Sequence, residues 1–211
     1  PGAPLEILSE TPAITHLDAH CGFGPVTVVE AIRQASAKAE ITGIGCVSVV
    51  NCTDVARLGS YVIAPALDGL VALLLVNDAG GNPFVAPWGG IEPFLSTNPI
   101  AAGIPWRDGE PIVIDMSTSV AAGGKLKMLS AENKSAPDGW LIDTEGRPTN
   151  EVAPAMESPP LSALLPLGSL IAGHKGFALS LLVDILAGGL SGAGCSAGKV
   201  EVTDRNGLFV L

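Results

Sequence analysis

With 47% hydrophobic and only 15% charged residues in 211, the chain can bury a sizeable core, and its composition argues against disorder. A formal net charge of −10 argues against nucleic acid or an anionic membrane as partner, and 4% aromatics leave few platforms for stacking bases. The 26 glycines and 17 prolines follow no period, so they mark turns and close backbone approaches rather than low complexity.

Residues 1–15 hold Pro, Gly and Thr among short apolar stretches and predict an edge strand. His16–Gly24 is polar and contains glycine, so it is expected to be a loop. A helix is expected from about Pro25 to Ile41, with Pro near its start and Val26, Val29, Ile32, Ala35 and Ala39 at helical spacing. Cys46–Val50 reads as a buried strand, Asn51–Ala56 as a loop and Leu58–Leu67 as a helix that Pro65 ends or kinks. Val71–Val76 is the most apolar run and the expected central strand. The segment Asn77–Pro99, with four prolines and four glycines, predicts a long functional loop. Ile100–Ile104 resumes a strand, and Arg107–Glu110 makes a hairpin-like turn.

Pro111–Lys125, PIVIDMSTSVAAGGK, is the most informative stretch. Ile112-Val113-Ile114 has the β-branched content of a buried strand, which Asp115 ends. Ser117, Thr118 and Ser119 follow, then a helix from Ala121 to about Ser130. Hydroxyls and free backbone N–H groups at a helix start suit phosphate or ribose oxygens, although Ser/Thr there serve equally as N-caps. Trp140–Asp143 and Thr144–Thr149 read as strand and turn, and the stretch to Pro166 is rich in Pro and Ser. Phe177–Leu186 is apolar nearly all round, which predicts a buried helix broken by Gly188, Gly189, Gly192 and Gly194. Leu208–Leu211 looks like a strand. Helices and β-branched strands alternate, so the class is α/β, and no GxGxxG follows a strand to support a classical dinucleotide fold.

Four groups could do chemistry. Lys175, in His174-Lys175-Gly176 just ahead of the expected buried helix, would oppose the macrodipole and suggests an anion partner; a snorkelling surface lysine is the alternative. Ser96-Thr97-Asn98-Pro99 presents a hydroxyl at a turn, and Asp115–Ser117 follows a strand. Asp54 and Arg57 lie three residues apart and would pair on a helix face. No metal site is expected: His16 and His20 sit among glycines, and Cys21, Cys46, Cys52 and Cys195 lack ligand spacing. Those cysteines read as free buried thiols in a reducing, cytoplasmic compartment. No signal peptide or membrane span is visible, Leu67–Val76 being too short to cross a bilayer. The start at Pro1 and the stop inside an apolar run suggest a piece of a longer protein.

In their joint order, APWGG (Ala86–Gly90), STNP (Ser96–Pro99), IDMSTS (Ile114–Ser119), GK (Gly124-Lys125), GRPT (Gly146–Thr149), ESP (Glu157–Pro159) and HKGFAL (His174–Leu179) resemble the malate/L-lactate dehydrogenase family of the non-Rossmann type. Ureidoglycolate dehydrogenase and piperideine-carboxylate reductase belong there too, and the resemblance runs from about Asp18 to Leu211. It implies an α/β fold of its own, a mixed sheet flanked by helices, in a homodimer. It also implies NAD- or NADP-dependent interconversion of a small 2-hydroxy acid and its 2-oxo acid. Alternatives within the resemblance are a cyclic imino acid or ureidoglycolate oxidoreductase, or a silent homologue that only binds cofactor or dimerises.

By motif, the resemblance puts Asp115, Met116, Ser117, Lys175 and Gly176 on the cofactor, with Val55, Ala56, Arg57, Leu58 and Gly59 as the cofactor loop. Thr97, Gly123 and Gly124 would face substrate. The family's HxGRLG pattern has its His at Asp54, the candidate catalytic position, and Ala56 replaces the usual Gly. The family's N-terminal helical region, with a catalytic His and a substrate-binding Arg, and its C-terminal cofactor segment have no counterpart. The expectation is therefore a single cofactor-binding domain, 1–211, without those flanks.

Overall fold

The computed structural model describes residues 4–79, 83–196 and 205–211. Strands β1 (Glu6–Glu10) and β2 (Ile14–Asp18) open the chain, followed by helix α1 (Gly24–Thr42) and β3 (Cys46–Cys52). A single 3-10 turn (Leu58–Ser60) precedes α2 (Ile63–Leu67), β4 (Ala72–Asp78), β5 (Ile100–Ile104) and β6 (Ile112–Met116). Then come α3 (Gly123–Ala131), β7 (Leu141–Asp143), β8 (Pro148–Thr149) and β9 (Ser162–Leu164). Helix α4 (Ser169–Val183) runs into a π-helical turn, Asp184–Gly189, and β10 (Asn206–Val210) closes the chain.

Seven strands form one mixed sheet in the order β1-β2-β3-β10-β4-β5-β6. β2 and β3 are parallel, joined by the α1 crossover, whereas the other pairs are antiparallel. Alternation along β4 and β10 separates two cores, because successive side chains point to opposite faces. Leu74, Val76, Leu208 and Val210 pack with α1 residues Val28, Ala31 and Ile32. Leu75 and Phe209 face the other way, onto Val183 and Ala187 of the α4–π segment. A second sheet, β8-β7-β9, carries its own cluster around Leu141, Leu164 and Leu126. Val85 bridges to both Leu95 and Leu164, tying the segment after β4 to that small sheet.

Several expectations are corrected. His16–Asp18 is strand rather than loop, because the exposed edge of β3 supplies a parallel partner, His16 opposite Ser48. The expected Leu58–Leu67 helix is split. α2 starts late enough that Pro65 is its third residue, where a missing N–H breaks no helical bond. β6 is not buried: it is the sheet edge, with Ile112 41%, Ile114 43% and Met116 38% exposed, and Asp115 lies within it. Residues 80–82 of the expected Asn77–Pro99 loop lie outside the described residues, and Asn77 and Asp78 belong to β4.

The last helix differs most. It begins at Ser169, but Ala172 is non-helical (φ −135°, ψ 18°), so two helices meet at a kink there and His174–Gly176 lie in the first turn of the second, just ahead of Phe177. Gly173 and Gly176, which suggest a loop in sequence, instead admit the Trp88 ring and the Leu167 backbone at close range. Gly188 and Gly189 continue the helix as a π-turn rather than ending it. Nor is it buried all round, since Ile171, Leu182 and Ile185 are exposed. Within Ser169–Gly189 an 18-residue window reaches a mean hydropathy of 1.6, long and apolar enough to cross a membrane by length and composition. Of the cysteines, only Cys52 is buried; Cys46 is half-buried, and Cys21 and Cys195 are exposed and free.

Candidate functional site

A cleft of about 970 Å³ opens among the 54–58 loop, the 96–99 turn, the end of β6 and the start of α3. Its walls include Asp54, Val55, Ala56, Arg57, Leu58, Thr97, Asp115, Met116, Ser117, Gly123 and Gly124. Chain segments far apart in sequence thus meet at one place, on the edge strand of the large sheet.

The loop is held from two sides. Asp115 Oδ2 accepts the Gly59 N–H at 2.9 Å and lies 3.4 Å from Arg57 Nε. The Tyr61 hydroxyl donates to the Val55 carbonyl at 2.6 Å, and burial pushes the Tyr61 phenol up from its ordinary value. Arg57 therefore pairs with Asp115, not with Asp54 as a helical spacing would have it. Without a helix there, Asp54 turns back on its own loop, and its Oδ1 accepts the Ala56 N–H at 2.8 Å. Ala56 takes a φ of 58°, in the left-handed region. Asp54 is exposed.

The hydroxyls after β6 do not cap α3. Ser117 Oγ donates to the Ser119 carbonyl, Ser119 Oγ to the Ala121 carbonyl, and Thr118 Oγ1 to the Thr97 carbonyl. Short hydroxyl side chains bond nearby carbonyls readily, and here the tight turn offers carbonyls first. The N-cap position of α3 is Ala122, which has no side-chain acceptor, and there Ala122, Gly123, Gly124 and Lys125 line the cleft. Uncapped first-turn N–H groups beside Lys125 and Lys127 make a positive corner. Nothing stands within 4 Å of where a Cβ on Gly124 would lie, so the corner is open.

Lys175 and Gly176 are not brought to the walls. Lys175 is exposed in the first turn after the Ala172 kink, where it opposes the macrodipole, but it does not line the cleft. Gly176 is buried against Leu167, which does line the cleft. Gly59 also stands behind the wall, on Asp115. Conversely, the structure adds Asn77, Phe84, Lys127 and Asn206 to the walls. Asn77, a polar residue continuing the most apolar strand, was the signal that sequence reasoning could have used. Phe84 and Asn206 carried none. Among the described residues there is no group of three or more His, Cys, Asp or Glu able to hold a metal.

The family model described as malate/L-lactate dehydrogenase matches residues 1–210. A relative named malate dehydrogenase from Pyrococcus abyssi is 38% identical over 202 residues, covering 96% of this chain and 55% of its own length. A Delta(1)-pyrroline-2-carboxylate reductase from Ancylobacter novellus is 37% identical over 183 residues, 86% of this chain and 50% of its own. The crystal structure of malate dehydrogenase from Entamoeba histolytica superposes with a TM-score of 0.90 at 28% identity, covering 99% of this chain and 60% of that one. The chain spans about half the length of the curated relatives it matches.

Proposed function

Since the chain belongs to the malate/L-lactate dehydrogenase family, we propose that its cleft holds NAD or NADP beside a small 2-hydroxy or 2-oxo acid and interconverts the two. The observation that carries the reading is the meeting of the 55–58 loop, Thr97, Asp115–Ser117 and Gly123-Gly124 around one uncapped helix N-terminus. The residues present fit a dinucleotide: the volume suits a cofactor, and the open α3 corner suits a phosphate. Gly176 remains part of the proposed cofactor set through its closeness to Leu167, and Lys175 through the motif they share.

When bound, the nicotinamide group supplies hydride acceptance or donation. The chain's own residues do the rest. The α3 N–H groups and Lys125 hold an anionic group, with Lys127 beside them. Asp115 ties down the loop through Gly59 and keeps Arg57 in reach of the cleft. Thr97 offers a hydroxyl on the substrate side. Asp54 is the residue placed to exchange the hydroxyl proton, through the carboxylate oxygen that Ala56 does not occupy. A cyclic imino acid in place of the 2-oxo acid would use the same parts; relatives named pyrroline-2-carboxylate reductase favour keeping it in the assay.

A second reading is favoured by one observation. Asp54, Asp78 and Asp115 gather three carboxyl side chains on the walls, which disfavours a substrate carboxylate and suits binding without turnover. The proposal also includes a homodimer, no nucleic acid or membrane partner, and a cytoplasmic setting for the four thiols. Sedimentation and fractionation test these. Fluorescence titration with NADH and NADPH, and NADH oxidation with a panel of 2-oxo and cyclic imino acids, test the site. Saturable binding lost in Lys125→Ala supports the cleft. Binding without oxidation supports the silent reading, and no binding by either nucleotide defeats both.

A further inference from the structure

One buried carboxylate stands behind the cleft and takes no part in the scheme above. Asp184 opens the π-turn and is 4% exposed. Its Oδ1 accepts from Ser196 Oγ at 2.9 Å, Asn77 Nδ2 at 3.3 Å and Asn98 Nδ2 at 3.4 Å, and its Oδ2 from the Ser196 N–H at 2.9 Å. Both asparagines are fully buried. Asn77 is a wall residue; its Nδ2 also reaches the Gly194 carbonyl at 2.9 Å, and its Oδ1 accepts the Gly207 N–H at 3.0 Å. Asn98 also donates to the Ser180 carbonyl and hydroxyl, at 3.2 and 3.1 Å.

The π-turn can lie this close because Gly188 and Gly207 lack side chains. A Cβ on Gly188 would strike the Asn77 amide, and one on Gly207 the Ala187 carbonyl. A π-turn inside a helix is uncommon and is found most often beside functional sites. Here it aims a carboxylate at two amides that brace the cleft. The neighbour of Asn98 is Thr97, whose carbonyl is clamped from the other side by the Thr118 N–H at 3.0 Å and its hydroxyl at 3.1 Å. Asn98 itself takes a φ of 36°, a left-handed conformation that its buried side chain must hold.

We propose that Asp184 is a positioning residue: from the π-turn it holds Asn77 and Asn98, and through Asn98 it sets Thr97 on the substrate side of the cleft. The claim that Thr97 faces substrate rests on the function proposed above; the bracing does not. Asp184→Asn replaces an acceptor by an amide facing the two asparagine amides. Ser191→Ala is the control, because Ser191 Oγ bonds the Ala187 and Gly188 carbonyls of the same turn and does not touch Asp184.

The measurement is ¹H–¹⁵N NMR of the chain, together with titration by oxamate (a non-reacting 2-oxo acid analogue) and by NADH. Asp184→Asn is expected to shift the Thr97 backbone amide and the Asn77 and Asn98 side-chain amides. It should weaken oxamate about tenfold, with NADH affinity within about twofold. Ser191→Ala should lower the melting temperature and leave the Thr97 amide and oxamate affinity in place. A Thr97 amide unmoved by Asp184→Asn, or moved equally by Ser191→Ala, overturns the proposal. Should Asp184→Asn not fold, Ser196→Ala, which removes one donor to Asp184, must move the same resonances; no movement overturns it too. If the unaltered chain binds neither probe, the proposed function fails, and the Thr97 and Asn98 resonances still decide the bracing role.

Discussion

Ala56→Gly isolates one local conformation at the mouth of the cleft. Ala56 holds a φ of 58° with its N–H bonded to Asp54 Oδ1. An L side chain in the left-handed region costs about 1–2 kcal/mol. Glycine removes that strain but gives back about 0.5–1 kcal/mol through the freedom of the unfolded chain. The net is a gain of about 0.5–1 kcal/mol. For a chain of 211 residues, 1 kcal/mol moves the melting temperature by about 2–4 °C. Ala56→Gly is therefore expected to raise it by about 1–4 °C in a calorimetric or circular-dichroism melt. Ala56→Val, β-branched at the same φ, should lower it. The hydrogen bonds of Tyr61 and Asp115 keep the loop in place, so nicotinamide affinity should change little. A lower melting temperature for the glycine variant, or an unchanged one for the valine variant, would refute the assignment of strain to Ala56.

Leu74→Ala should cost about 2–5 kcal/mol, because Leu74 is fully buried between the sheet and α1, whereas Ile185→Ala on the exposed side of the π-turn should cost under about 1 kcal/mol. Urea titration of both variants checks the difference. Burial works to raise the Asp18 carboxyl, but bonds from the His20 N–H and the Asn51 amide, with the nearby His20 and His16, outweigh it and hold it below its ordinary value of 3.8. A depressed folded-state value stabilises above the unfolded one and is lost as pH falls through the folded one. Asp18→Asn should thus be less stable by about 1 kcal/mol at pH 7 and equal to the parent once pH is well below 3.8, as acid titrations of both will read. Burial pushes the Cys52 thiol up to about 12, so a thiol reagent at pH 8 should modify exposed Cys21 first and reach Cys52 only on unfolding. Prompt labelling of Cys52 would count against its burial.

The elements legible in sequence are those that neighbouring residues decide. Helical spacing from Val26 to Ala39 located α1 within a residue or two, the β-branched run Cys46–Val50 located β3, and the short apolar runs Val71–Val76 and Ile100–Ile104 located β4 and β5. The order of short motifs likewise pointed to the 55–58, 115–117 and 123–124 segments that the fold gathers at the cleft. Period and propensity act over a few residues, so the chain carries them openly.

What only the tertiary structure decided is which elements become neighbours. β10, from the end of the chain, sits between β3 and β4, while β6, as apolar as a buried strand, is left at the edge. An apolar run does not record whether a partner covers it, and for the same reason α4 looks buried in sequence and is half exposed in the fold. Asp115 was free to choose Arg57 and Gly59, and Asp184 to reach Asn77 and Asn98, only after strand order and the π-turn had brought groups more than fifty residues apart into hydrogen-bond range. Those contacts depend on distances that chain closure sets, and local spacing holds no information about them.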